Sequence, residues 1–223
     1  MMNKNAIKGI LFDLDGTLFD SEYYQWQGWV EPLRKYGIEL TKEMYLKYAG
    51  KNSKDAIDRE MIEDFKLDIP IGALWEEKRK LIGKWFNEKP MPLLPYAKEV
   101  VEFFVNNPKF KVVLSSGNDI DEIEAKLKLN DFNKYFPIIV CGSDVKNSKP
   151  APDIYIEGAK RLGLLPEECL AIEDTQYGLE SAKAAGLSCF VVPNEYSVKQ
   201  DFSRADKICG SLKDVIDYFT NDE

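Results

Sequence analysis

Short, continuous apolar runs alternate along the chain with longer segments in which apolar residues recur every three or four positions. A continuous apolar run is typical of a strand buried on both faces of a parallel sheet, whereas the longer spacing is typical of an amphipathic helix. The runs predict strands at residues 9–12, 111–114, 138–141, 169–172 and 189–192. Because these strands alternate with helices, the pattern predicts an α/β fold with helices on both faces of a parallel sheet.

One segment, residues 20–91, shows no strand pattern and contains four helical patterns instead. All four tryptophans of the chain lie in it, and the proline-rich stretch 90–95 forms a stiff connector at its end. We therefore predict a small helical bundle inserted after the first strand, with the aromatic side chains as the bundle's own core. The chain then divides into an α/β core domain, residues 1–19 and 92–223, and an inserted helical domain, residues 20–91.

Composition narrows the chemistry that the chain can perform. It has no histidine, which excludes Ser-His-Asp and Cys-His catalysis and histidine-ligated zinc. Its four cysteines form no Cys-x-x-Cys pair, so we expect neither a zinc ribbon nor a thioredoxin-type redox site. The formal net charge of −8 argues against nucleic acid as a partner. With no signal-peptide or membrane-spanning pattern, we expect a cytoplasmic monomer that does not bind membranes.

Two carboxylates follow the first predicted strand. Asp13 and Asp15 are two residues apart, so strand periodicity places them on the same side of the chain. The carboxyl end of a central parallel strand is where α/β folds bind ligands. A simple Asp-Gly turn would account for Asp15 but not for Asp13. A calcium-binding EF-hand loop does not fit, because the positions that require Gly and Glu hold Leu18 and Tyr24.

Polar residues also follow the other predicted strands. Ser115 and Ser116 could hold phosphate oxygens, although the same sequence is ordinary in turns. Lys149 lies in a loop that prolines fix, although a solvated surface lysine is the simpler alternative. Glu173 and Asp174 form an acidic pair that is costly to bury without a cation, unless Asp174 merely caps a helix. Oxygen ligands without His or Cys suit Mg²⁺, so together these groups predict a phosphoryl-transfer site.

Four segments resemble the motifs of the haloacid dehalogenase superfamily. They are DLDGT at 13–17, the first serine of LSSGN at position 115, SKPAPD at 148–153 and IEDTQYG at 172–178. Their order, and the helical insert between the first and the second, resemble more closely the β-phosphoglucomutase-like phosphatases, in which the insert is a cap over the active site. The resemblance implies a Rossmann-like, three-layer core with a helical-bundle cap.

The resemblance also implies roles for the core residues. Asp13 would be the nucleophile that forms an aspartyl-phosphate, and Asp15 would be the general acid and then the base. Mg²⁺ would be held by Asp13, by the backbone carbonyl of Asp15 and by Asp174, with Glu173 close to it. The metal and Lys149 would offset the repulsion between the anionic nucleophile and the anionic phosphate.

The phosphate and cap positions complete the implied site. Ser115 and the backbone amides near Ser116 would hold phosphate oxygens. Lys51, in the loop between two cap helices, is a candidate for contacting a second anionic or hydroxyl group of the substrate. The chain departs from the mutase at two positions, because Gln25 stands where the mutase has a cap histidine and Ser53 where it has a cap arginine. Without these groups, hydrolysis is favoured over controlled transfer to a bound sugar.

These assignments predict a Mg²⁺-dependent phosphatase that acts on a small phosphorylated metabolite, with a sugar or polyol phosphate implied by the resemblance. A phosphosugar mutase and a catalytically silent binding protein are the alternatives. We also expect the cap to open and close over the site about two hinges, near residues 18–21 and 89–95.

Overall fold

The computed structural model describes residues 3–49 and 54–221. Within these residues the strands are β1 (Gly9–Phe12), β2 (Lys111–Ser115), β3 (Ile139–Val140), β4 (Cys169–Glu173), β5 (Ser188–Val191) and β6 (Lys207–Ile208). All of them pair in parallel in one sheet of order β3-β2-β1-β4-β5-β6. The predicted α/β fold class is confirmed, and β6 is a strand that the sequence pattern did not predict.

The helices of the described chain fall into two groups. The helical insert after β1 contains α1 (Glu22–Arg34), α2 (Lys42–Tyr45), α3 (Lys54–Asp64) and α4 (Ala73–Glu88). The helices that pack on the sheet are α5 (Ala97–Val105), which precedes β2, and α6 (Ile120–Leu129), α7 (Asp153–Leu162), α8 (Gln176–Ala184) and α9 (Leu212–Thr220). Among the described residues, no helix combines the length and the apolar composition that crossing a membrane requires.

The central strand β1 is buried on both faces, which explains its unbroken apolar sequence. Ile10 and Phe12 pack into one hydrophobic cluster with residues of α5, α6 and α9. Leu11 points to the opposite face and packs with residues of α7 and α8. Successive side chains of a strand alternate between faces, so one short strand joins both helical layers. The result is the three-layer core that the resemblance implied.

The helices of the insert have a hydrophobic cluster of their own, which contains Trp29, Leu33, Met61 and Leu74. Trp29 is 1% exposed, so the prediction of an aromatic bundle core is confirmed for this residue. Trp85 contacts Tyr24 of α1 but packs against the cluster that also contains the α/β core, so for this residue the prediction holds only in part. The domain limits at residues 20 and 91 stay a prediction.

The two chain segments that connect the helical insert to the core lie side by side. The Asp20 amide donates to the Pro92 carbonyl at 2.9 Å, and the Leu94 amide donates to the Leu18 carbonyl at the same distance. Phe19 and Leu93 form an isolated bridge between these bonds. The predicted hinge segments are therefore hydrogen-bonded to each other, and any motion about them would occur at one place. The hinge itself stays a prediction.

Candidate active site

The pairing register of the sheet brings the predicted site residues together. Phe12 is level with Leu114 on β2 and with Ile172 on β4. One residue further along each strand stand Asp13, Ser115 and Glu173. These three residues therefore lie next to one another at the carboxyl edge of the sheet. The Asp13 amide continues the pairing by donating to the Ile172 carbonyl at 3.0 Å.

Lys149 lies between the carboxylates of two strands. Its ammonium donates to Asp13 Oδ1 at 2.5 Å and to Glu173 Oε1 at 2.6 Å. It is only 6% exposed, so the alternative of a solvated surface lysine is wrong. The Tyr155 hydroxyl also donates to Glu173 Oε1. Buried charges of opposite sign at these distances fix each other's position, and Lys149 therefore orients Asp13.

Asp174 is held by groups that the sequence analysis did not identify. The side-chain amide of Asn194, in the loop after β5, donates to Asp174 Oδ2 at 2.7 Å. Gly16 has a φ of +78°, and a Cβ there would lie 2.2 Å from Asp174 Oδ2, so glycine is required at this turn. Thr175 is the residue that caps α8, by accepting a hydrogen bond from the Gly178 amide. A role of Asp174 as the helix cap is therefore wrong.

Three buried carboxylates converge without enough positive charge to balance them. Asp13, Glu173 and Asp174 each offer an oxygen atom, and these atoms lie within 4.8 Å of one another. Burial, together with the neighbouring acids, raises the pKa of Asp13 to about 8 and the pKa of Asp174 well above its ordinary value. Lys149 is their one close ammonium partner among the described residues. This donor set fits a hard divalent cation such as Mg²⁺.

Asp15 has separate partners, one just before α6 and one within it. The Asn118 side-chain amide donates to Asp15 Oδ2, and the Lys126 ammonium donates to Asp15 Oδ1 at 2.6 Å. Lys126 also donates to Glu122 at 2.8 Å and lies 4.2 Å from the centre of the Phe86 ring. Burial alone would raise the pKa of Asp15, but the Lys126 charge and these hydrogen bonds outweigh it and hold the pKa below its ordinary value.

The two serines after β2 differ in their surroundings. Ser115 is fully buried, and its hydroxyl has no hydrogen-bond partner among the residues that the structure describes. Ser116 is 2% exposed and lies on the wall of a cavity. Ser115 is not among the residues on the wall of this cavity, so its binding to a phosphate oxygen stays a prediction.

The cavity has a volume of about 110 Å³ and lies between the carboxyl edge of the sheet and the helical insert. The core residues on its wall include Asp13, Asp15, Ser116, Lys149 and Asp174. The insert contributes Glu22, Gln25, Trp29, Tyr45, Trp75 and Lys78, among others. Gln25 therefore faces the same space as the carboxylates of the core. Lys51 and Ser53 lie outside the described residues.

The insert side of the cavity carries charged groups that the sequence analysis did not single out. Lys78 is 6% exposed, and its ammonium lies 4.7 and 4.8 Å from the ring centres of Trp29 and Trp75. Burial lowers the pKa of Lys78 to about 8 and raises the pKa of Glu22 to about 7. The Tyr45 hydroxyl donates to Glu22 at 3.3 Å. These groups can bind polar atoms of a ligand whose other end lies at Asp13.

Residues 10–192 match the model of the family of haloacid dehalogenase-like hydrolases. The chain belongs to this family. It is 31% identical over 207 residues to the protein CbbY of Rhodobacter capsulatus, and the aligned region covers 90% of this chain and 91% of that protein. It is 30% identical over 179 residues to the fructose-1-phosphate phosphatase YqaB of Escherichia coli, covering 80% of this chain and 93% of YqaB.

A solved structure shows the same architecture. CbbY from Rhodobacter sphaeroides, crystallised in complex with xylulose 1,5-bisphosphate, superposes with a TM-score of 0.81 at 25% identity, over 92% of this chain and 95% of that one. The resemblance inferred from the motifs is confirmed. The family and its phosphatase relatives identify the protein as a phosphoric monoester hydrolase with a Rossmann-like core.

Proposed function

We propose that the protein is a Mg²⁺-dependent phosphatase that hydrolyses a small sugar or polyol phosphate through an aspartyl-phosphate at Asp13. The observation that carries this proposal is the position of Asp13. It is buried at the carboxyl end of the central strand, 2.5 Å from the Lys149 ammonium and within 4.8 Å of two further carboxylates. A nucleophile among like charges needs cations to approach a phosphate, and the surroundings of Asp13 offer one lysine and a place for another cation.

In the first half of the reaction, an Asp13 oxygen attacks phosphorus while the bond from phosphorus to the ester oxygen breaks. Asp15, in its protonated form, donates a proton to the departing oxygen, which leaves as an alcohol. Both carboxylates lie on the wall of the same cavity, so one bound phosphate can be in reach of both. Ser115, Ser116 and Lys149 bind phosphate oxygens during the transfer.

In the second half, Asp15 accepts a proton from water while the water oxygen attacks phosphorus. The bond between phosphorus and Asp13 breaks, and inorganic phosphate and the free Asp13 carboxylate are regenerated. Asp15 is thus the acid of the first half and the base of the second, and its orientation matters in both. The Asn118 amide and the Lys126 ammonium each donate to one oxygen of this carboxylate.

The acidic cluster supports a set of metal ligands. Asp13 and Asp174 would hold Mg²⁺ together with the backbone carbonyl of Asp15, and Glu173 would lie close to it. When bound, the ion supplies positive charge between the anionic nucleophile and the anionic phosphate. Asn194 keeps Asp174 in place. The Lys149 ammonium donates to both Asp13 and Glu173 and so offsets the repulsion between these two carboxylates.

The insert side of the cavity supports a polyhydroxylated substrate. Gln25, Glu22, Tyr45 and Lys78 present an amide, a carboxyl, a phenol and an ammonium to the cavity, and such groups bind hydroxyls. The relative YqaB is named for fructose 1-phosphate, and the CbbY structure holds a sugar bisphosphate. A mutase is disfavoured because Gln25 has no titratable group with which to return a proton to a bound sugar.

Phosphate release from a panel of sugar and polyol phosphates, with Mg²⁺ and with chelator, tests the proposal. We expect turnover of at least one ester with Mg²⁺, none in chelator and none by Asp13→Asn. Full activity in chelator would contradict the metal site. Interconversion of glucose 1-phosphate and glucose 6-phosphate, without net phosphate release, would favour the mutase. No reaction with any phosphate ester, including an activated aryl phosphate, would favour the silent binding protein.

A further inference from the structure

Asp15 is held on both oxygens by side chains from one stretch of chain. Asn118, just before α6, donates to Oδ2, and Lys126, two turns further on, donates to Oδ1 at 2.6 Å. Glu122 lies between them at the same spacing of four residues, and it accepts from Lys126 at 2.8 Å. Positions four apart share one face of a helix, so this face of α6 is directed at Asp15.

The buried position of Lys126 is not explained by packing. Its side chain has no exposed surface, and burying an ammonium is costly unless charged partners offset the cost. Its neighbours Ile123 and Leu127 already supply the apolar contacts of α6 with the core. An apolar residue at position 126 would fill the same space without a desolvation penalty. The lysine at this position therefore serves Asp15 rather than the packing of the core.

The surroundings of the ammonium leave it one orientation. Asp15 and Glu122 bind it on two sides, and the Phe86 ring, from the last turn of α4, faces it at 4.2 Å. A cation over a ring face is attracted to it. The ammonium thus sits where the helical insert meets the core, and its contacts fix the direction from which it approaches Asp15.

We propose that Lys126 is a positioning residue that holds the Asp15 carboxylate in the orientation needed for proton transfer; this inference rests on the function proposed above. The alternative is that the ion pair serves only to stabilise the fold. The two differ in what they predict for different substrates, because proton donation matters for a poor leaving group and not for an activated one.

The test compares Lys126→Met with Lys128→Met, an exposed position on the same helix. Each is assayed on an alkyl phosphate that the parent hydrolyses and on 4-nitrophenyl phosphate. For Lys126→Met we expect kcat/KM to fall roughly 10-fold or more on the alkyl ester and less than about 3-fold on the aryl ester. Its kcat on the aryl ester should fall, with a burst of nitrophenol, because Asp15 is still needed to activate water. Lys128→Met should match the parent.

Glu122→Gln provides a second variant. It removes the negative charge of one partner of the Lys126 ammonium, and the glutamine side chain has the same shape as glutamate. It should show the same preference for the aryl ester with a smaller loss, and thermal unfolding checks that both variants fold. Equal losses of kcat/KM on the two esters, or no loss on either, would overturn the positioning role.

Crystal structures of the parent and of Lys126→Met give a readout that does not depend on activity. We expect the Asp15 carboxylate to rotate away from its contact with Asn118 when the ammonium is absent, and an unchanged Asp15 would contradict the inference. A parent that hydrolyses neither ester refutes the proposed function instead, and the structures still decide whether Lys126 orients Asp15.

Discussion

The side-chain amide of Asn194 lies 2.7 Å from Asp174 Oδ2 and 3.2 Å from the carbonyl oxygen of Gly16. One residue of the loop after β5 therefore ties an acid at the end of β4 to the turn that follows β1. Groups that hydrogen-bond to a metal-binding carboxylate set its orientation and are a large part of the affinity of the site. This makes Asn194 a determinant of metal binding in the proposed site.

We predict that Asn194→Ala weakens Mg²⁺ binding by roughly 10-fold to 100-fold. Mg²⁺ titrations followed by calorimetry, and the Mg²⁺ concentration for half-maximal phosphate release, measure the change. Asn87→Ala is a control at an exposed asparagine. An unchanged affinity in Asn194→Ala would show that Asp174 is oriented without it, or that Asp174 is not a ligand.

Asp13→Asn should abolish turnover, by roughly a thousandfold or more, because a carboxamide cannot replace the attacking carboxylate. It should leave the melting temperature close to that of the parent, since one of three mutually repelling acids is removed and Lys149 keeps Glu173 as a partner. Phosphate release and thermal unfolding of the same preparation provide the measurement. Retention of turnover near the parent rate would remove Asp13 from the role of nucleophile.

The sheet and the core motifs were predictable because their signals are local. An unbroken apolar run such as 9–12 defines a strand, and the polar residue that follows it must lie at the sheet edge. The partners Lys126 and Asn194 were not predictable in this way. Lys126 is 111 residues from Asp15, and with Glu122 it forms the four-residue spacing that is typical of an exposed helical pair.

Strand β6, near the end of the described chain, was not predicted for a different reason. Strand β6 is two residues long, Lys207 and Ile208, and neither length nor composition separates it from a loop. It exists because the edge of β5 offers unpaired backbone groups, which is a property of the assembled sheet.

The buried Glu22 should make stability depend on pH. Burial raises its pKa to about 7, above the value of an unfolded glutamate, so the folded state keeps a proton that the unfolded state has lost. The contribution of Glu22 to the free energy of unfolding is then fully present below about pH 4, the pKa of glutamate in the unfolded chain, and it declines as pH rises towards 7. Glu22→Gln should flatten this decline, which melting temperatures between pH 5 and 7 will show. Equal slopes in parent and variant would mean that Glu22 is charged in the folded protein.

Lys78 provides the sharpest test of how the insert recognises substrate. Its ammonium lies 4.7 and 4.8 Å from the centres of two indole rings and faces the cavity, and burial lowers its pKa to about 8 although the charges of Glu122 and Glu22 oppose that shift. A polar atom at the far end of a substrate would satisfy this ammonium, and that contact cannot be made by a small aryl phosphate, which offers only an apolar ring there.

We therefore predict that Lys78→Met lowers kcat/KM roughly 10-fold or more on the best sugar or polyol phosphate and has little effect on 4-nitrophenyl phosphate, because a buried charged hydrogen bond is worth about 1.5–3 kcal/mol. Lys80→Met, at an exposed position of the same helix, is the matched control and should behave as the parent.

The selectivity between esters that we expect for Lys78→Met has a different origin from that of Lys126→Met. It follows the size and hydroxyl content of the ester, whereas that of Lys126→Met follows the leaving group. A series of alkyl phosphates with and without distal hydroxyls separates the two. If Lys78→Met lost activity equally on esters of every size, the lysine would be needed for the fold of the insert, and recognition would have to come from other residues of the cavity wall.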